Sequence, residues 1–256
     1  MPVDLKVVNH VAYITLNRPE AMNSLDPESI ANLTEIWERV RTDTDIRVAV
    51  LTGAGEKAFC TGTDMKKAPP PTECMAATYL RDGQPIVPHM KMWKPIIAAI
   101  NGFAVGGGLE IALACDMRIA SSNAKFGLTE VKVASLAGLN GTQLLPRAMP
   151  KAVAMKMLLT GEMINAEEAL RYGLVSDVVE LAELPELART YAEKIASAAP
   201  LSVQAAKQAA VIGQDLPVDH GILFSHLLWG VLRDTDDRKE GFKAFAERRP
   251  PAFRGA

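Results

Sequence analysis

The 256-residue chain is poor in cysteine. Cys60, Cys74 and Cys115 are its only three, far apart and with no CxxC pair. An odd number at scattered spacing argues against a disulfide framework and gives no zinc-ligand pattern, so the three read as small apolar fillers. A charge excess is also missing: 28 Lys and Arg stand against 30 Asp and Glu, for a net charge of -2. That leaves no basic surplus for a nucleic acid, although a few placed cations would serve a phosphate-bearing small molecule. There is no run of about 18 apolar residues, so no membrane span is expected. The opening Met1-Pro2-Val3-Asp4 has no cationic stretch followed by an apolar one, so neither a secretory signal nor a transit peptide is expected and the cytoplasm is the default location. The four histidines, His10, His89, His220 and His226, fall in no pattern that suggests chemistry.

What is present is a globular composition. At 48% hydrophobic, a chain of this length can bury one sizeable core, or one core with a small appendage. Val11 to Leu16 alternates, is rich in β-branched residues and is stopped by Pro19, which predicts a strand. Asp26 with Pro27 predicts a helix start, and Ile30, Leu33, Ile36, Trp37 and Val40 follow on one helical face. Arg47 to Gly53 and Pro95 to Ile100 read as further strands, Leu109 to Cys115 as a helix and Asp116 to Ala120 as another strand. Strand, turn, short strand and helix recur around Val48, Ile97 and Met117, the rhythm of a spiral of β-β-α units. The proline-rich stretch from Ala68 to Lys94 reads as a lid-like region with a short helix near Met75 to Leu80. After Pro150 the chain turns helical. Asn165 and Glu168 form a capping-box pair, Gly173 suits the stop, and Val175 to Val179 is the last strand. Helices are expected over Leu184–Ala198, Pro200–Ile212, Pro217–Leu232 and Asp237–Arg248. The expected division is a spiral core over 1–190 and a helical region over 191–256, apolar enough in Leu223, Phe224, Leu227, Leu228 and Trp229 to pack on the core or on another subunit.

Three segments could carry chemistry. Gly106-Gly107-Gly108-Leu109-Glu110 sets glycines between a strand and a helix, exposing backbone N–H groups at a helix N-terminus that suit negative charge. Glu110 lies one turn beyond Gly107 on the same face. A tight packed turn with a solvated glutamate fits this segment equally well. No Gly-Lys-Ser/Thr follows, so it is not a P-loop, and it is not the dinucleotide glycine pattern. In Cys60-Thr61-Gly62-Thr63-Asp64-Met65-Lys66 a short apolar stretch runs into a glycine turn and then a helix start. There Thr63 N–H could be a second donor and Lys66 could meet a phosphate; an ordinary helix start with a surface lysine is the plain alternative. Glu130, after Phe126-Gly127, could be a cap or a surface charge, and the loop Gly138 to Gln143 could floor a pocket.

Taken in order and spacing, these segments resemble the crotonase superfamily, the enoyl-CoA hydratase/isomerase family. The likeness runs from Leu16-Asn17-Arg18-Pro19 with Asn23, through Ala58-Phe59 to Asp64 and Ala99-Ile100-Asn101-Gly102 to Glu110. It continues through Phe126-Gly127 with Glu130, Gly141-Thr142-Gln143, Leu159-Thr160-Gly161 and Gly173-Leu174-Val175 to Glu240-Gly241 with Phe245. The resemblance implies an α/β spiral of β-β-α units with a C-terminal helical trimerisation region, assembled as a homotrimer or hexamer. It implies an oxyanion hole from the N–H groups of Thr63 and Gly107, and coenzyme A along Cys60, Gly62, Thr63, Asp64, Met65 and Lys66. It implies that Glu130 exchanges the α proton while Glu110 activates the water added at the β carbon. Coenzyme A is part of the substrate, and no metal, separate cofactor, nucleic acid or membrane is implied. Two glutamates favour a hydratase over a one-base double-bond isomerase. Ala134, Ala137 and Asn140 depart from the usual hydratase pattern in the acyl pocket. The tail Ala244 to Pro250 and Glu167 to Arg171 are similar to carnitinyl-CoA dehydratases, which stay open as a substrate alternative. An inactive RNA-binding or scaffold homologue is the reading from another class.

Overall fold

The structure is a computed structural model that describes residues 1–67, 90 and 92–256. Most of the expected lid, with its helix near Met75 and Cys74, lies outside the described residues; of the lid only 90 and 92–94 are described, with Met90, Met92 and Lys94 buried.

Six strands make the larger sheet: β1 (Val3–Val8), β2 (Val11–Leu16), β3 (Val48–Gly53), β5 (Ile96–Ile100), β7 (Met117–Ser121) and β10 (Asp177–Val179), adjacent in that order. β1 and β2 form an antiparallel hairpin, and every later pairing is parallel. β1 was not expected, although Val3, Leu5 and Val7 alternate with Asp4 and Lys6 as in a half-buried strand, and it pairs with β2 along its whole length. A smaller sheet runs β4 (Ala58–Cys60), β6 (Phe103–Val105), β8 (Lys125–Gly127) and β9 (Ile164–Asn165), parallel until its last pair. Each turn of the chain therefore adds one strand to the large sheet and one to the small, which is the expected spiral. β3 leads to β4, β5 leads to β6 and then α2 (Gly107–Ala114), and β7 leads to β8.

β3 and β5 are buried throughout, apart from Thr52, as strands of a parallel sheet covered on both faces should be. One face meets the main core, where Phe59, Phe126, Leu16, Leu51, Ile100 and Leu109 are almost wholly buried. α1 (Pro27–Thr42) closes this core with Leu33, Trp37 and Val40. Its N-cap is Asp26, whose side chain accepts from Ser29 N–H at 2.9 Å, so the Asp-Pro signal is met as read. On the other face, Leu184, Ala188, Ala192 and Ala196 of α6 (Leu184–Ser197) meet Val48, Val50, Ile97 and Ile119. The alanine stripe lets the helix lie close to the sheet. α6 runs through position 190, where the sequence suggested a division.

Along the chain, α3 (Gly141–Ala148) and α4 (Lys151–Thr160) follow β8, and α5 (Ala166–Arg171) follows β9, opened by the complete Asn165–Glu168 capping box. The final helices, α7 (Pro200–Gly213), α8 (Val218–Leu232) and α9 (Asp236–Glu247), differ from the rest. Neither α7 nor α8 buries a single residue fully, and α8 leaves Ile222, Leu223, Leu227 and Trp229 at least half exposed.

Candidate active site

The site grows out of the joint between the two sheets. Two buried asparagines tie this joint. Asn101 accepts from Gly53 N–H at 3.1 Å and donates to the Gly53 and Gly55 carbonyls at 2.8 Å each. Asn23 donates to the Ala54 and Ala58 carbonyls at 3.0 and 2.7 Å. They satisfy backbone groups where the chain leaves β3 and enters β4, so β4 is held at a fixed height above the large sheet. Both fall in motifs noted above, yet neither had been given a role.

From β4 the chain reaches Gly62, in the left-handed region at φ +82°. The next stretch is pinned from both sides of Thr63. Leu25 N–H donates to the Gly62 carbonyl at 2.8 Å, and Asp64 N–H donates to the Leu25 carbonyl at 2.9 Å. The Asp64 carboxylate accepts from Arg18 at 2.8 Å and from Lys66 N–H at 3.1 Å, and the hydrogen bond from Arg18 holds it below the ordinary carboxylate range. Asp64 thus fixes the loop rather than facing outward. Residues 65–67 form a turn, not the helix start that was expected: the short range of the bridge to Leu25 and the Arg18 tether bend the chain there.

Opposite this loop, β6 ends at Gly106, whose φ of +56° and ψ of −130° suit only a residue without a side chain. α2 begins at Gly107, two residues before the expected Leu109. The approach of α2 to β4 is close: a Cβ on Gly108 would stand 2.0 Å from the Cys60 carbonyl oxygen. A Cβ on Gly62 would lie 2.8 Å from Gly107 N, and one on Gly107 would lie 3.9 Å from Thr63 N. The nitrogens of Thr63 and Gly107 are therefore brought side by side. Among the described residues neither N–H has a backbone acceptor, and Gly107 adds the positive end of α2. Cys60, by contrast, is wholly buried, its thiol pushed up to about 12 by burial. Met65 and Lys66 are exposed beside Thr63.

Glu110 sits in the first turn of α2 and is 2% exposed. Its Oε1 accepts three backbone N–H groups, from Leu139 at 2.9 Å, Asn140 at 2.9 Å and Gly141 at 2.7 Å. These donors are the N-terminus of α3 and the two residues before it. A carboxylate only accepts, so three converging donors suit it. Sequence reading had treated this loop as a floor. It had no means of finding the donors, because they are backbone atoms whose aim depends on how α3 docks on α2. Asn140, where the usual pattern has glycine, acts here as the N-cap of α3 with φ −171°.

Glu130 opens a 3-10 turn (Glu130–Val133) just past β8. Its Oε1 comes within 3.3 Å of where a Cβ on Gly106 would stand, so it reaches back over the glycine run. Its Oε2 is buried and has no hydrogen-bond partner among the described residues. Burial raises the Glu130 carboxyl above its ordinary value; its own backbone N–H opposes this and the charge of Glu110 adds to it. The turn closes on Ala134 in the left-handed region at φ +55°, a conformation that suits glycine better. No cluster of His, Cys, Asp or Glu that could hold a metal occurs among the described residues.

Among the described residues the site thus offers two N–H donors without acceptors, one anchored carboxylate and one carboxylate with an unpartnered buried oxygen. Residues 6–256 match the family model described as enoyl-CoA hydratase/isomerase. The chain is 87% identical over all 256 residues, the full length of both, to the (E)-benzylidenesuccinyl-CoA hydratase of Thauera aromatica. It is 38% identical to the short-chain-enoyl-CoA hydratase of Clostridium acetobutylicum, covering 96% of this chain and 95% of that one. It superposes on the crystal structure of an enoyl-CoA hydratase from Bacillus anthracis with a TM-score of 0.92, at 39% identity and complete coverage of both chains. The chain belongs to the enoyl-CoA hydratase/isomerase family, as a hydratase of CoA thioesters.

Proposed function

We propose that the protein hydrates a 2-enoyl-CoA bearing an aryl group on its double bond, of the (E)-benzylidenesuccinyl-CoA type. The thioester oxygen binds the N–H groups of Thr63 and Gly107, which are aimed where negative charge collects as the enolate forms. Glu110 takes a proton from water as the water oxygen bonds to the β carbon. Glu130 gives its proton to the α carbon, the double bond is lost, and the next turnover requires the proton to pass back from Glu110 to Glu130. The observation that carries this reading is the buried Oε2 of Glu130, which has no partner among the described residues. A buried polar atom without a partner is costly, and a bound water or substrate would satisfy it. The raised Glu130 carboxyl suits a group that starts as the acid. Coenzyme A runs past Gly62, Thr63, Asp64, Met65 and Lys66. The Lys66 side chain is exposed, and its ammonium makes no ion pair among the described residues, so it is available to a phosphate. The whole-length match to the Thauera enzyme supports the aryl substrate.

The reaction needs no metal or further cofactor. The enzyme works as a homotrimer or a dimer of trimers, most simply in the cytoplasm. The exposed apolar side chains of α8 support subunit contact there. Two measurements test these statements. Mass spectrometry of the enzyme with benzylidenesuccinyl-CoA, crotonyl-CoA and crotonobetainyl-CoA should give a product one water heavier, fastest with the first. Preference for crotonobetainyl-CoA would favour a carnitinyl-CoA dehydratase instead. Light scattering should give three or six subunits, and a stable monomer at micromolar concentration would remove the assembly.

A further inference from the structure

Leu139 joins the two halves of the site. On one side its backbone N–H is held by Glu110 Oε1 at 2.9 Å. On the other, its Cδ1 methyl lies 3.5 Å from where a Cβ on Gly107 would stand. Gly107 carries one of the two N–H donors, so this methyl stands beside the residue that holds the donor. A substrate with its thioester oxygen at Gly107 N–H and its β carbon toward Glu110 spans the two groups that Leu139 touches, which brings the isobutyl group beside its path. Leu139 is only half-buried, so apolar surface remains for a ligand to cover. Its backbone is fixed as well: the next two residues also donate to Glu110, so the side chain is presented from a rigid base.

We propose that Leu139 is a specificity-determining residue: it forms the apolar wall that receives the substituent on the β carbon, and so favours an aryl group over a methyl group. This rests on the reading of the substrate as an aryl-bearing enoyl-CoA. A flat ring covers more of the leucine than a methyl does, and apolar area removed from water is what such a wall rewards. The role is confined to selection, since the side chain has no group that could transfer a proton.

The test compares kcat/KM for benzylidenesuccinyl-CoA and crotonyl-CoA in the wild type, Leu139→Ala and Leu139→Val. A hydrophobic pocket discriminates by roughly 10–200-fold per methylene-sized change. Leu139→Ala should therefore lose at least about tenfold on the aryl substrate, mainly through KM, and less than about threefold on crotonyl-CoA. Leu139→Val should show the same order with smaller losses, which covers the case in which the alanine variant does not fold. Equal losses on the two substrates, or losses confined to kcat, would overturn the inference and leave the aryl substrate standing. A wild type that hydrates crotonyl-CoA but not benzylidenesuccinyl-CoA would remove the substrate reading, and this inference with it.

Discussion

Glu110 and Glu130 carry the same carboxyl group in opposite settings. Glu110 stands on a helix, and one of its oxygens takes three N–H groups from the start of another helix. Glu130 stands on a short 3-10 turn and holds one buried oxygen with no partner among the described residues. In the proposed mechanism the first setting fixes the base in one position, and the second leaves the acid incomplete until something binds. On that reading, one fold obtains two different proton-transfer groups from identical side chains. Docking of α3 on α2 supplies one setting, and the close of β8 over the glycine run supplies the other.

The contrast is broken most severely by removing either charge. Glu110→Gln and Glu130→Gln keep the shape, and each should lower kcat for hydration by about 10²–10⁴. Binding of a non-reactive CoA thioester, measured by calorimetry, should survive in both. Full activity in Glu110→Gln would promote the one-base isomerase reading.

A smaller effect is expected from moving Glu110 without touching it. A Cβ on Gly141 would lie 2.8 Å from Leu128 Cδ1, 2.9 Å from Ala137 Cβ and 3.1 Å from Glu110 Oε1. Gly141→Ala must therefore shift α3 or push the carboxylate. A misplacement of about 1 Å can cost 10²-fold, so kcat should fall by about that factor while KM changes little. A Gly141→Ala enzyme with wild-type kcat would show that the three N–H donors do not set the position of the base.

The smallest effect sharpens the contrast through stability. The folded-state carboxyl of Glu130 is raised above the ordinary glutamate value of 4.5. Between that value and the raised one, the folded protein binds more proton than the unfolded chain, so stability falls as pH rises through this window. Glu130→Gln removes the loss. Above the window the variant should melt higher than the wild type, while below pH 4.5 the difference should shrink. Equal melting temperatures at neutral pH would mean that the buried Glu130 oxygen carries no cost.

The parts of this site that were legible in the sequence are those that depend on residue type. Gly106, with its φ of +56°, and Gly62, with φ of +82°, announce themselves because few other residues adopt such backbones. Glu110 and Glu130 are visible as carboxylates beside glycine-rich turns. The spiral was readable because β3, β5 and β7 are short apolar runs ending at turn residues. What stayed hidden is carried by backbone atoms or long-range packing. The donors from Leu139 to Gly141 depend on where α3 docks. The turn at 65–67 depends on Arg18 reaching Asp64 across the fold. β1 is not of this kind: Val3, Leu5 and Val7 alternate with Asp4 and Lys6, so its strand pattern stands in the sequence.

The central claim is that Glu110 and Glu130 act on one reacting volume as a unit. It is tested most directly by kcat/KM for hydration in the two single glutamine variants and in Glu110→Gln/Glu130→Gln together. Residues that act as a unit are not additive, so the double variant should be no more than a few-fold worse than the worse single. Losses that multiply, so that the double variant falls by the product of the two singles, would contradict the account and place the two carboxylates in separate steps.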